Sequence, residues 1–234
     1  MSQTAFLLFA LTAFATTAIA DDPSPSPGET TVAEGSAPVH RTQVDSNGGQ
    51  TYIYVGGSFP SGTQPGRFEF LFDFPSADGS TSGYITPLLF ERVEGELYTT
   101  YVIRGIGRSF TVNISSAPQT LPFEILEGTT VTPSGNYTFG FANALVNSSG
   151  QQIVGSAGAV DMDNPADSGE GVGGPGTTNH WSVTNVGDPP AQGPPSALGT
   201  SFGAPGSGAD WTFYGSFRTY SMQAFGVIAS TTNQ

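Results

Sequence analysis

Hydrophobic residues stand at every second position in several short stretches between residues 50 and 234. The clearest stretch is GRFEFLFDFP over 66–75, which carries a phenylalanine ridge: Phe68, Phe70, Phe72 and Phe74. Successive side chains of a β-strand point to opposite faces of the sheet, so this spacing places all four rings on one face. We expect the ridge to lie in the core, because an exposed ridge would form a large apolar patch. The alternative is a platform that stacks on sugar rings, and Leu71 indicates that part of the opposite face is also covered.

Other short segments also show alternation or are rich in β-branched and aromatic residues, and clusters of Gly, Pro, Asn and Ser separate them. No long run has helical spacing. The predicted strands are 51–55, 67–74, 84–91, 97–104, 109–115, 123–126, 137–146, 152–161, 181–186, 211–217 and 221–229. Short strands with frequent turns predict an all-β fold. We expect an antiparallel β-sandwich of the jelly-roll type, with a closed β-barrel as the alternative.

The composition divides the chain into three parts. Residues 1–20 contain an apolar run and end in Ala-Ile-Ala, which is typical of a signal peptide cleaved before Asp21. Residues 21–49 are rich in Pro, Ser and acidic side chains and predict a flexible linker. Residues 50–234 predict a single β-sandwich domain with a long Gly/Pro-rich loop at 163–208. We therefore expect a secreted, extracellular protein.

Acidic and basic residues are strongly unbalanced. There are 19 acidic residues and six basic ones, all arginine, which gives a net charge of −13. We expect no nucleic-acid partner and no anionic membrane partner, because both are bound by clustered Lys and Arg. No later segment approaches the about 20 apolar residues that a membrane-spanning helix needs, so we expect no membrane insertion. The chain has no cysteine, so its core and not disulfides must stabilise it.

Aromatic residues of the C-terminal part are candidates for ligand binding, because Trp and Tyr combine a flat apolar ring with a hydrogen-bonding group. The candidate ligand-binding residues are His180, Trp181, Trp211 and Tyr214. The first two stand in the predicted loop at 163–208, where we expect exposure. The other two suit a sandwich core equally well. Loops on a rigid scaffold commonly carry function, so we expect binding at the loop ends.

An acidic stretch at the start of this loop is a candidate calcium site. Oxygen ligands at such spacing suit calcium, which accepts irregular geometry. The candidate ligands are Asp161, Asp163, Asp167 and Glu170. The spacing departs from the EF-hand loop, because Pro165 occupies its fifth position. The alternative is a solvated acidic turn without a cofactor.

Three triplets fit the Asn-x-Ser/Thr pattern of N-glycosylation, and begin at Asn113, Asn136 and Asn147. In the first two triplets, strand alternation places the asparagine on the face opposite to its apolar neighbours. The third stands in a predicted hairpin turn. We expect all three asparagines to be exposed, so that a glycosylating host could modify them.

Catalytic patterns are sparse in this sequence. No phosphate-binding loop, nucleophile elbow or His-Glu-x-x-His pattern occurs, and no cysteine nucleophile exists. Paired carboxylates of a glycosidase need no such pattern, and the candidates are Glu91, Glu94, Glu96 and Glu124. Arg104 and Arg108 could hold an anionic ligand, although we expect them to pair with local carboxylates at the surface.

Three short stretches carry a family resemblance: NYTFGF at 136–141, LGTSFG at 198–203 and RTYSMQA at 218–224. They resemble exported bacterial β-sandwich proteins that often carry PEP-CTERM sorting tails. The resemblance covers about the C-terminal two thirds of the chain and implies a surface or matrix protein. The chain differs from that family after Gln223, where no Pro-Glu-Pro motif and no basic end follow.

Three functions remain open from the sequence. The first is a non-catalytic exported β-sandwich that binds polysaccharide or belongs to an extracellular matrix. The second is a polysaccharide-cleaving enzyme that uses paired carboxylates. The third is a self-assembling surface or filament subunit joined through exposed sheet edges.

Overall fold

The fold is all-β. The computed structural model describes residues 29–35, 37–39, 43–45, 51–71, 82–113, 115–142, 145–146, 152–153, 160–163, 180–183, 197–204 and 206–229. Every regular element in these ranges is a β-strand, which confirms the predicted class. Nowhere in them does a helix occur that is long and apolar enough to cross a membrane.

The strands are numbered in chain order. They are β1 (Glu29–Gly35), β2 (Gln43–Asp45), β3 (Thr51–Tyr54), β4 (Thr63–Phe70), β5 (Ser82–Glu94), β6 (Thr99–Gly107), β7 (Phe110–Asn113), β8 (Gln119–Pro122), β9 (Ile125–Gly128), β10 (Tyr137–Ala142), β11 (Leu145–Val146), β12 (Gln152–Ile153), β13 (Val160–Asp163), β14 (His180–Val183), β15 (Ser201–Gly203), β16 (Trp211–Tyr220) and β17 (Met222–Ala229). Most were predicted from alternation and from β-branched or aromatic residues.

One group of strands forms a hydrogen-bonded ring in the order β14-β3-β10-β5-β6-β15-β16. The ring closes because β16 pairs back to β14, with His180 opposite Arg218 and Val183 opposite Phe213. The pairings around the ring are antiparallel except that between β15 and β16, which is parallel. The predicted antiparallel arrangement is therefore confirmed for the other pairs, and the ring has the character of the barrel alternative.

A second sheet, in the order β1-β17-β4-β8, packs against the outside of this ring. Its inner face carries Phe68 and Phe70, which are 0% and 1% exposed. The Phe68 ring centroid lies 5.7 Å from that of Phe139 and 5.9 Å from that of Phe141, both on β10. The core interpretation of the phenylalanine ridge is confirmed for Phe68 and Phe70, whereas its other two rings lie outside the described residues. Leu71 is also buried.

Strands β3, β10 and β5 separate two apolar clusters, one on each of their faces. Tyr52 and Phe139 belong to the cluster beneath the four-stranded sheet. The cluster on the other face, within the ring, consists of Ile53, Leu88, Phe90, Tyr101, Ile103, Ala142 and Phe202. These strands are buried on both faces, which explains why β10 is buried at all six positions and shows no apolar–polar alternation.

The predicted linker over 21–49 is corrected by β1 and β2, which both fall within it. β1 pairs with β17 over its full length, from Glu29 opposite Ala229 to Gly35 opposite Gln223. Its stabilisation comes mainly from backbone hydrogen bonds, because Val32 is its one apolar side chain packed against the core. A strand stabilised in this way has no hydrophobic pattern for sequence analysis to detect.

Within the predicted loop at 163–208, β14 agrees with the strand predicted at 181–186, whereas β15 was not predicted. Phe202 of β15 is fully buried and its ring centroid lies 5.9 Å from that of Phe90. β15 has only three residues, so its pattern is too short to be recognised among the flanking Gly and Pro residues. The parallel pairing of β15 with β16 places this short strand in the wall of the ring.

Candidate functional site

The solvent side of the four-stranded sheet is the candidate functional site, and we call it the outer face. Phe68 and Phe70 of β4 point into the core, so the alternate residues Arg67 and Glu69 lie on the outer face. On β17, Ala224 is buried and its neighbours Gln223 and Phe225 are half-buried, which places them on the same face. The outer face follows directly from the alternation that forms the core.

The centre of the outer face is an arginine stacked on an aromatic ring. Arg67 and Phe225 lie opposite each other in the register of β4 and β17. The guanidinium carbon of Arg67 lies 3.8 Å from the centroid of the Phe225 ring, which is cation–π geometry. Arg67 Nε also donates to Glu69 Oε1 at 3.0 Å. These two interactions fix the orientation of the guanidinium group.

Strand register arranges the outer face into two rows that cross all four strands. The first row is Ala33, Phe225, Arg67 and Pro122. The second row is Gly35, Gln223, Glu69 and Thr120. Neighbouring strands lie about 4.8 Å apart, so each row is roughly 14 Å long. The first row is mainly apolar apart from Arg67, and the second offers hydrogen-bond donors and acceptors.

The predicted ligand-binding residues lie elsewhere, in two neighbouring strands of the ring. His180 and Trp181 belong to β14, which pairs with β3 on one side and with β16 on the other. Trp211 and Tyr214 belong to β16, with Tyr214 opposite Ser182 of β14. The backbone thus brings the four residues onto adjacent strands. The strand predicted at 181–186 is confirmed in part by β14, in which His180 pairs with Tyr54 and Arg218 and Trp181 pairs with Ile53 of β3.

The predicted calcium ligands are only partly within the described residues. Asp161 and Asp163 lie in β13, which pairs with β2 and β16, whereas Asp167 and Glu170 lie outside the described residues. No group of three or more potential metal ligands occurs among the residues that the structure describes. The calcium site stays a prediction.

Two of the three sequon asparagines can be placed. Asn113 is exposed at the end of β7, and Asn136 is exposed immediately before β10. The third, Asn147, lies outside the described residues. Thr138 of the second sequon is fully buried, and its hydroxyl donates to the Tyr54 carbonyl at 2.7 Å. A modifying enzyme therefore could not reach that hydroxyl in the folded protein.

The candidate catalytic carboxylates are mostly paired with arginines. The pairs are Glu91 with Arg104 at 2.7 Å, Glu94 with Arg92 at 2.6 Å and Glu124 with Arg108 at 3.0 Å. Glu96 is exposed. The expectation that Arg104 and Arg108 pair with local carboxylates is confirmed. Each of these three carboxylates thus lies against one guanidinium group and not against a second carboxylate.

Glu34 has a different environment, on the inward side of β1. Burial raises the pKa of its carboxyl group above the ordinary value. Burial, followed by the negative charge of Glu34, raises the pKa of the neighbouring Tyr54 phenol on β3. The Glu34 carboxyl also lies against Gly57, where a Cβ would come within 3.2 Å of its Cδ. Folding therefore favours the protonated form of Glu34 more than the unfolded chain does.

We expect Glu34→Gln to raise the melting temperature at pH 7, because the neutral amide avoids the cost of burying a charged carboxylate. The gain should be small, since solvent reaches and screens this half-buried group. A carboxyl whose folded pKa is raised contributes stability below its unfolded pKa and loses it as pH rises through the folded pKa. The gain should therefore shrink as pH falls below the folded pKa. Thermal unfolding between pH 3.5 and 8, with the exposed Glu127→Gln as control, measures this. A gain that is independent of pH would contradict it.

Comparison with known proteins gave no match: no family model matches the chain, and neither does any curated protein or solved structure. The outer face is also a candidate site that sequence analysis missed. Glu69 was recognisable as the solvent side of β4 from alternation alone. The pairing of Arg67 with Phe225 was not, because the two residues are far apart in sequence and register joins them.

Proposed function

We propose that the protein is an exported, non-catalytic β-protein that binds neutral polysaccharide on its outer face, as a carbohydrate-binding or extracellular matrix component. The observation that carries the proposal is the Arg67–Phe225 stack with Glu69 beside it on a four-stranded sheet. Sugars present apolar C–H faces and hydroxyl groups together. The two rows of the outer face offer the matching apolar and hydrogen-bonding groups.

The polar groups of this face suit hydroxyl recognition. The Arg67 guanidinium has several N–H donors in one plane, and the Glu69 carboxylate has acceptors only. Gln223 and Thr120 add groups that both donate and accept in the same row. Because Arg67 is already held by the Phe225 ring and by Glu69, little side-chain freedom would be lost on binding.

Charge favours a neutral ligand over an acidic one. The chain carries a net charge of −13, so a uronate or sulfated polymer would be repelled at long range. Arg67 is the basic group at the centre of the outer face, and its charge is balanced by Glu69 at 3.0 Å. A neutral chain of about three sugars would span one row of roughly 14 Å.

The extracellular location in this proposal is supported by sequence alone. The apolar N-terminal run with its Ala-Ile-Ala end is typical of a signal peptide, and the resemblance to exported bacterial β-sandwich proteins points to the cell surface or matrix. Fractionation of a culture that expresses the full chain, followed by N-terminal sequencing, measures export and cleavage before Asp21.

We expect Phe225→Ala to weaken binding to a neutral polysaccharide by about tenfold, which corresponds to about 1.4 kcal/mol. The variant removes both the ring surface and the support of the Arg67 guanidinium. Calorimetry with a panel of neutral and acidic glucans, mannans and galactans measures the affinity. The matched control is Leu126→Ala, which removes a 57% exposed apolar side chain on β9, away from the outer face.

Two results would contradict the proposal. The first is that the wild-type chain binds none of the neutral glycans, and the second is that Phe225→Ala binds as tightly as Leu126→Ala. A melting temperature measured for each variant separates loss of the site from loss of the fold.

A further inference from the structure

β1 is an edge strand of the four-stranded sheet. It pairs with β17 through seven residues, from Glu29 to Gly35, and no described strand lies on its other side. The other edge strand, β8, is shorter and ends in Pro122, which cannot donate a backbone hydrogen bond. β1 carries no proline, and the residues before it in the chain are outside the described ranges. Among the described strands it is therefore the long edge of this sheet that has neither a pairing strand nor a proline.

β1 is weakly anchored by its side chains. Thr30, Thr31 and Ala33 are exposed, and Val32 alone packs against the apolar cluster beneath the sheet. Glu34, the second inward residue, is a carboxylate that burial disfavours in its charged form. Backbone hydrogen bonds to β17 therefore supply most of its attachment.

The position that β1 occupies nevertheless restricts which residues a strand can place there. Gly35 has a φ of +104°, and a Cβ built there would lie 2.6 Å from the Met222 carbonyl oxygen and 2.8 Å from Phe139 Cζ. Departure of β1 would uncover Phe139, which is fully buried, and the edge of β17. A strand that replaces β1 must present a glycine at this position and a small apolar residue three positions before it. The β1 sequence itself meets both requirements.

We propose that β1 exchanges between two copies of this chain, so that β1 of each copy pairs with β17 of the other. Exchange preserves every contact of β1, so the free energy of the strand position is unchanged and a dimer forms at little cost. No disulfide can hold β1 in its own copy, because the chain has no cysteine. The proposal is independent of polysaccharide binding, since its readout is the association state of the chain.

A cross-strand disulfide tests the exchange. Thr31 and Val227 lie opposite each other in β1 and β17, where opposite Cα atoms of antiparallel strands are about 4.5–5.5 Å apart, within the range for a disulfide. We expect reduced Thr31→Cys/Val227→Cys to form dimers with rising concentration in size-exclusion chromatography with light scattering. Oxidation after concentration should give covalent dimers on a non-reducing gel. Oxidation before concentration should keep the chain monomeric.

A matched control ties β17 to β4 instead. Gln64 and Val227 are opposite in those strands, so oxidised Gln64→Cys/Val227→Cys should leave β1 free and should still dimerise. Wild-type chain that stays monomeric at all concentrations would overturn the proposal. Dimerisation that persists after the Thr31–Val227 disulfide has formed within each chain would overturn it as well, because association would then use another surface.

Discussion

Replacing Phe68 by alanine is expected to lower the free energy of unfolding by about 3–5 kcal/mol, because the phenyl ring is fully buried. Its centroid lies 6.0 Å from that of Phe70 on its own strand and 5.7 Å from that of Phe139 on β10. The Phe123 and Phe141 rings are within 6.4 Å. The Phe68 side chain thus joins the four-stranded sheet to β10 in the ring of strands. A cavity at this position would weaken the packing between the two layers.

Urea unfolding followed by fluorescence measures the loss, and Leu97→Ala is the control. Leu97 is 84% exposed between β5 and β6, so its removal should change stability by no more than about 0.5 kcal/mol. Equal effects of the two substitutions would show that the sheets do not pack through Phe68. Because the chain has no cysteine, packing of side chains and not disulfide bonds must hold its sheets together.

Gly140→Ala is expected to destabilise the protein by about 3 kcal/mol or more, through overpacking and not through a cavity. Gly140 lies in β10, opposite Ile53 of β3 and Leu88 of β5. A Cβ there would collide with the Tyr52 carbonyl oxygen and would lie 2.8 Å from Phe90 Cε2. The Phe90 ring is fully buried, and β10 is paired with both β3 and β5. Neither the Phe90 ring nor the Tyr52 carbonyl group therefore has room to move away.

The matched control for this substitution is Gly135→Ala in the turn before β10. No atom lies within 4 Å of a Cβ built at Gly135, so the extra methyl group meets open space. Soluble expression and the urea midpoint of both variants measure the difference. A Gly140→Ala variant as stable as Gly135→Ala would mean that β10 is not enclosed between two apolar clusters.

The sequence predicted those parts of the fold that depend on local side-chain pattern. Alternation around Phe68 identified β4 and its inward face, and the surface pairing of Arg104 with Glu91 followed from the acidic composition. The boundaries were less accurate. The strand predicted at 123–126 lies at Ile125–Gly128, because Phe123 turns into the core and its N–H bonds the Gly66 carbonyl instead.

The parts that could not be predicted depend on pairing between distant segments. β1 has no apolar pattern, and its place is determined by hydrogen bonds to a strand that lies near the other end of the chain. The closure of the ring through β14 and β16 is likewise a long-range pairing. The outer face could not be predicted for the same reason, because only the pairing register of β4 and β17 places Phe225 opposite Arg67.

The antiparallel pairing of β1 with β17 also determines how the molecule would respond to mechanical force. Glu29 lies opposite Ala229, so the chain enters β1 and leaves β17 at the same end of the pair. Tension applied between the residues before Glu29 and those after Ala229 would pull the two strands apart from that end. The backbone hydrogen bonds would then break one after another and not all together. A molecule pulled from the residues before Glu29 and after Ala229 would therefore release β1 at low force, before the ring of strands opened.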